Sequence, residues 1–150
     1  MHDIELESVQ LHQPAERSLN ASGAQLHEEQ ILTEHGQVLV AVQGIRGKPP
    51  IITYHDLGLN HVSGFQAFFN FVEMRKLLEN FCVYHVNAPG QEVNSPALPV
   101  DYVYPTMDEL ANQLDYVLNH FSLKSFVGFG VGVGANILAR YAHLNPDKVD

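Results

Sequence analysis

The chain has 150 residues, 45% of them hydrophobic, which is the size of one ordinary domain with enough apolar material for a sizeable core. Lys and Arg number 8 against 17 Asp and Glu, a formal charge of −9, and this disfavours nucleic acid or an anionic membrane as the main partner. The single cysteine, Cys82, excludes an internal disulfide, and neither a membrane-length apolar run nor a signal-peptide pattern stands near Met1, so the expectation is a cytoplasmic protein with no integral membrane segment and no lipid anchor.

Residues 1 to 30 mix Gln, Glu, Ser, Asn and Ala without an apolar period, too little to offset the entropy of ordering, and are expected to form a flexible acidic tail. Residues 1 to 35 hold seven acids (Asp3, Glu5, Glu7, Glu16, Glu28, Glu29, Glu34) and one base, Arg17, so most of the negative charge gathers there. From residue 31 to 150 the texture is that of a folded domain. Ile31 to Thr33 and Gln37 to Val42, joined at His35-Gly36, read as an opening β-hairpin. Ile51 to Tyr54 is a short β-branched strand that ends in His55-Asp-Leu-Gly58. Residues Phe65 to Asn80, with apolar Phe68, Phe69, Phe71, Val72, Leu77 and Leu78 and charged Glu73, Arg75, Lys76 and Glu79, predict a helix packed on a sheet.

Phe81 to Val86 predicts the next strand, broken at Pro89-Gly90 and followed by a long loop with Pro96, Pro99 and Pro105. Thr106-Met-Asp-Glu109 has the form of a capping box, and Leu110, Leu114, Val117, Leu118 and Phe121 recur at helical spacing behind it. Ser125 to Phe129 predicts a further strand, running through Gly130 into a helix from Gly134 to Leu144. Pro146 to Asp150 then reads as the approach to one more strand, which leaves the edge of Phe126 to Phe129 waiting for a neighbour. A hairpin followed by repeated βα units predicts an α/β fold with a mainly parallel sheet flanked by helices.

The most informative stretch is Gly130-Val-Gly132-Val-Gly134, set where a strand meets a helix. In α/β-hydrolases the turn there is Gly-x-Ser-x-Gly, whose glycines permit the sharp bend that lifts the serine above the sheet, while an amide after it serves the oxyanion. Gly132 keeps the spacing and supplies no nucleophile, so covalent catalysis by this route is chemically absent. Arg140-Tyr-Ala and Asn145-Pro146 fall where these hydrolases often place Arg-Tyr-Ala and His-Pro, which fixes the register. The chain therefore reads as the N-terminal half of an α/β-hydrolase-like domain.

Thr53-Tyr-His-Asp-Leu-Gly-Leu-Asn60, Tyr84-His-Val-Asn-Ala-Pro-Gly90 and Gly130-Val-Gly-Val-Gly-Ala135 together resemble the N-myc downstream-regulated family. The resemblance implies a non-enzymatic α/β-hydrolase-like fold acting in cytoplasmic signal transduction, stress response and differentiation through protein partners, with peripheral or vesicle association implied by the resemblance alone. It implies no cofactor. Asn87 departs from the pattern, which carries an Asp there. The family's later half, with its cap region and C-terminal tail, has no counterpart in these residues.

Rival readings share the same residues. Gly130-Val-Gly132-Val-Gly-Ala135 also fits the dinucleotide fingerprint G-x-G-x-x-G/A, the mark of an NAD-type enzyme. That fingerprint normally sits on the first βα turn, and its ribose-binding acid closes the second strand, whereas Asp150 precedes its strand. A vestigial pocket is expected from His55, Asp56, Gly58, Leu59, Val131, Gly132 and Val133. His55, His61 and His85 match no common metal spacing, so no metal is expected. Cys82 within an apolar strand reads as a buried small hydrophobe, and Ser63 and Ser95 lie in loops outside any elbow.

Overall fold

The computed structural model describes residues 26–150, so the first 25 residues of the tail expected over residues 1 to 30 lie outside the described residues, and its last five are strand. The first strand, β1 (Leu26–Thr33), begins five residues before the predicted boundary at Ile31. Its early start follows from pairing, since Leu26 to Gln30 lie opposite Leu39 to Gln43 of β2 (Gly36–Gly44) in an antiparallel register. The two strands turn on Glu34-His35, where the Thr33 hydroxyl donates to the Gly36 carbonyl at 2.7 Å.

Three further strands complete the sheet: β3 (Pro50–Tyr54), β4 (Cys82–Asn87) and β5 (Val127–Gly130), in the spatial order β1-β2-β4-β3-β5. The β2–β4 pair is antiparallel, and β4–β3 and β3–β5 are parallel. The sheet is therefore mixed, with the parallel part carrying the strand ends that form the site. On the far edge of β5, Phe126 bridges Val149 in parallel, in keeping with the expectation that the chain approaches another strand there.

The stretch predicted as one helix from Phe65 to Asn80 is four pieces. A π-helical turn, Val62–Gln66, leads into α1 (Ala67–Asn70), a 3₁₀ turn over Val72–Met74 follows, and α2 (Arg75–Asn80) ends the segment. It starts early because the Asn60 side chain accepts from the Val62 and Ser63 amides at 3.1 and 3.0 Å. It breaks at Phe71, whose φ of −66° and ψ of 138° are extended. The break has a packing reason. In an unbroken helix Leu78 would lie roughly 220° around the axis from Phe65; the extended residue resets the phase, so that Phe65, Phe69 and Leu78 join one cluster with Ile51 and Val83. Phe68, Phe71 and Val72, predicted as core, are instead 42, 59 and 64% exposed.

The opposite face of the sheet packs on α3 (Met107–Phe121) and α4 (Val133–Leu144), with Leu114, Val117, Ile137 and Tyr141 meeting Val40, Ile52, Tyr54 and Tyr84. The capping box forms as its residues predict: the Thr106 amide donates to Glu109 Oε2 at 2.7 Å, and the Glu109 amide donates to Thr106 Oγ1 at 3.3 Å. Ser122 closes α3 in the left-handed region at φ 56°. Because α3 is a full helix whose buried stripe builds one side of the core, its start is worth a measurable fraction of the stability. Thr106→Ala is expected to lower the unfolding free energy in urea by about 1 kcal/mol, with the slope of the transition unchanged.

Candidate functional site

The site lies at the carboxyl ends of β3, β4 and β5. β5 passes through Gly130 into a turn at Gly132, which has φ 57° and ψ −121° and serves as the N-cap of α4. This is a backbone that L residues with side chains adopt only under strain. Gly134, the second residue of α4, lies so close to the end of β3 that an added Cβ would overlap the Tyr54 carbonyl. Glycine is thus needed at one position for conformation and at the other for close approach, and the elbow geometry of the sequence motif is present.

What stands over the elbow is a carboxylate. A Cβ at residue 132 would overlap the side chain of Asp56, which reaches across from the loop after β3. Asp56 Oδ1 accepts from the Val133 amide at 2.9 Å and from the Leu57 amide at 2.8 Å. These are the amide after the elbow residue and an amide of the loop after β3, the two donors that in a hydrolase of this fold would receive an oxyanion. Here one internal oxygen takes both. The Val133 amide first, and the Leu57 amide second, hold the Asp56 carboxyl below its ordinary range, and the N-terminus of α4 favours the same charge.

The loop that carries Asp56 is pinned by His55. The Ala88 amide donates to His55 Nε2 at 2.9 Å, so that nitrogen is the acceptor and the proton sits on Nδ1, which donates to the Asp56 carbonyl at 2.8 Å. Burial holds this imidazole below its ordinary pKa, consistent with a neutral ring whose two nitrogens are both used. Gln91 ties the other side, accepting from the Gly58 amide at 3.1 Å and donating to the Tyr104 hydroxyl at 2.8 Å.

A profile of the Ndr family matches residues 28–150. The chain belongs to the Ndr family. It is 50% identical to Protein NDRG3 of Xenopus laevis over 125 residues, which are 82% of this chain and 33% of that protein. It is 41% identical to Protein NDRG4 of Xenopus tropicalis over 150 residues, 99% of this chain and 36% of that protein. The chain therefore spans about a third of the length of these Ndr relatives. Among solved structures it is similar to naproxen esterase of Bacillus subtilis, with a TM-score of 0.68 and 19% identity over 84% of this chain and 41% of that one. An esterase of Thermogutta terrifontis superposes with a TM-score of 0.62 at 20% identity, covering 82% of this chain and 43% of the esterase. At these identities the likeness gives the fold, an α/β-hydrolase architecture over its N-terminal half.

The residues expected to form a pocket are only partly brought together. His55, Asp56 and Val133 line a cavity of about 270 Å³ that also takes in Tyr54, Tyr104 and Met107. Gly58, Leu59, Val131 and Gly132 lie outside it, and Leu59 and Val131 are exposed. Tyr54, Gln91 and Tyr104 were not legible as site residues. Tyr54 reads as strand core, and the long loop that carries the other two has no pattern that fixes its path. Ser63 bonds the Asn60 carbonyl and Ser95 the Pro96 carbonyl, away from the elbow. Cys82 is buried, and burial raises its thiol pKa, as suits a small core residue.

The other two histidines meet on the opposite face of the sheet. His61 and His85 stack with ring centroids 5.8 Å apart. The His61 amide and Nδ1 both approach Asn87 Oδ1, at 2.9 and 3.1 Å, while Asn87 Nδ2 donates to the Leu39 carbonyl at 3.2 Å. An amide side chain accepts from one neighbour and donates to the other, which an ionised Asp at this position could not do. Among the described residues no group of three potential ligands is placed to hold a metal. His85 accepts from the Thr53 hydroxyl at 2.7 Å and approaches Gln43 Oε1 at 3.3 Å. Burial, reinforced by His61, pushes its pKa down to about 3.

A histidine held neutral in the fold and free to ionise when unfolded stabilises fully above its ordinary pKa of 6.5, and that contribution drains away as pH falls from 6.5 toward 3. His85→Gln is therefore expected to lose less stability than the native protein between pH 7 and pH 5.5, by about 1 kcal/mol in paired urea titrations. Parallel losses in the two proteins would show that His85 takes up its proton in the folded state.

Proposed function

We propose that this chain is a non-enzymatic α/β-hydrolase-fold protein that works through protein partners in cytoplasmic signal transduction, stress response or differentiation. The observation that carries the first half of this reading is the Asp56 carboxylate. Two features needed for acyl transfer are replaced together: the nucleophile by Gly132, and the vacant pair of amides by an internal anion. A serine placed at residue 132 would still need a base to take its proton. The second half is supported by Ndr-family membership and by the exposed apolar side chains of Phe68, Phe71 and Val72 on the broken helical segment, since clustered exposed apolar residues commonly mark contact surfaces. No helix among the described residues is long and apolar enough to cross a membrane.

The nucleotide reading is the weaker one. A dinucleotide pyrophosphate would need the amides at the start of α4, and the Val133 amide is already bonded to Asp56.

A fluorophosphonate probe of serine hydrolases tests the proposal on the native protein and on Gly132→Ser. Neither is expected to label. The variant is also expected to lose about 1 to 3 kcal/mol of stability, from the strained backbone and from displacement of Asp56. Specific labelling of the native protein would identify a nucleophile elsewhere and end this reading, and labelling of the variant would show that a serine at the elbow is activated once Asp56 is displaced.

A further inference from the structure

The cavity of about 270 Å³ beside the elbow has the construction of a ligand site. An apolar cavity of roughly 150 Å³ holds a benzene ring, so this one accommodates a ring with a short substituent. Leu57, Pro105, Met107, Leu110, Val133 and Ile137 make its walls apolar. Its charge comes from Asp56, and none of the described lining residues is a lysine or arginine. His55, also in the wall, already uses both ring nitrogens. An anion entering here would meet a carboxylate with no cation to offset it, and the desolvation of a charged ligand would go uncompensated.

One polar group in the wall is incomplete. Tyr54 lines the cavity, and its hydroxyl is buried with no hydrogen-bond partner. A buried donor left unpaired costs on the order of 1 to 3 kcal/mol, and the β3 backbone fixes Tyr54 by pairing on both sides. The hydroxyl is closed off from the cavity as well as from solvent, so an acceptor reaches it only by displacing the neighbouring Tyr104. That tyrosine shares the wall, is 39% exposed and holds its hydroxyl through Gln91.

We propose that this cavity binds a small neutral molecule, largely apolar and of the aryl or alkyl ketone, ester or amide class, whose single acceptor takes the Tyr54 hydroxyl. A ligand here need not react, so the inference stands or falls separately from the absence of catalysis. The site selects on three grounds: size from the walls, neutrality from Asp56, and one acceptor from Tyr54.

Three probes of equal heavy-atom count separate these grounds: acetophenone, its hydrocarbon analogue cumene, and benzoate. In ligand-observed NMR titrations of the native protein, acetophenone is expected to bind about tenfold or more tightly than either of the others. Tyr54→Phe should abolish the preference for acetophenone over cumene while leaving cumene binding intact. Its melting temperature without ligand should equal or exceed that of the native protein, because it removes an unsatisfied group. Met107→Trp, which fills the cavity from the first turn of α3, should abolish binding of all three.

Any of the following overturns the proposal: no binding by any probe, benzoate or cumene binding as tightly as acetophenone, a preference that survives Tyr54→Phe, or binding that survives Met107→Trp. A lowered melting temperature in Tyr54→Phe also overturns it, by showing that the hydroxyl already has a partner such as water.

Discussion

One carboxylate oxygen, Asp56 Oδ1, receives two backbone amides, one from the start of α4 and one from the loop after β3. The Val133 amide opens α4, and the Leu57 amide belongs to the loop after β3. Bringing them to one acceptor fixes the angle at which α4 leaves the sheet and the path of the loop. The remaining contacts of the site lead away from this point. His55 joins the Asp56 carbonyl to the Ala88 amide beyond β4, and Gln91 joins Gly58 to Tyr104. The ends of three strands are thereby clamped around a charge that the protein supplies itself.

The arrangement separates fold from chemistry. The strand, turn and helix of a hydrolase elbow persist, with the positive φ at Gly132 and the close approach of Gly134 to β3. The space above the turn, which a nucleophile and an oxyanion would need, holds Asp56 instead. The substitution is self-consistent in energetic terms. The part-buried Val133 amide without an acceptor would cost part of a hydrogen bond, and an ionised carboxylate at a helix N-terminus is stabilised by the same dipole that would otherwise favour a transition-state anion. Gly132 is the companion change, because any larger residue would occupy the place the carboxylate takes.

Much of this was legible in the sequence, for local reasons. The capping box at Thr106, the α3 stripe and the hairpin turn each rest on neighbours within a few residues, and the elbow was visible because its glycines are demanded by backbone geometry alone. The boundary of β1 was missed because Leu26 to Gln30 carry a mixed polar pattern and owe their strand to β2. The break at Phe71 was missed because the apolar count from Phe65 to Leu78 suits a helix, and only the need to turn Leu78 toward Phe65 and Phe69 reveals the reset. Asp56 was placed near the pocket, but its bonds to Val133 could not be read, since the two lie 77 positions apart. The same distance problem hid Tyr54, Gln91 and Tyr104, whose association depends on the path of a loop without a periodic signal.

The central claim, that Asp56 is the resident anion of the two amides, is tested most directly by an NMR pH titration of its carboxyl carbon, followed together with the amide protons of Leu57 and Val133. The account predicts a midpoint below the ordinary aspartate range, with both amide protons shifting upfield along the same curve as the carboxylate is protonated and their hydrogen bonds weaken. An ordinary midpoint, with the two amides unresponsive, would place the carboxylate in solvent and leave the amides open, contradicting the account.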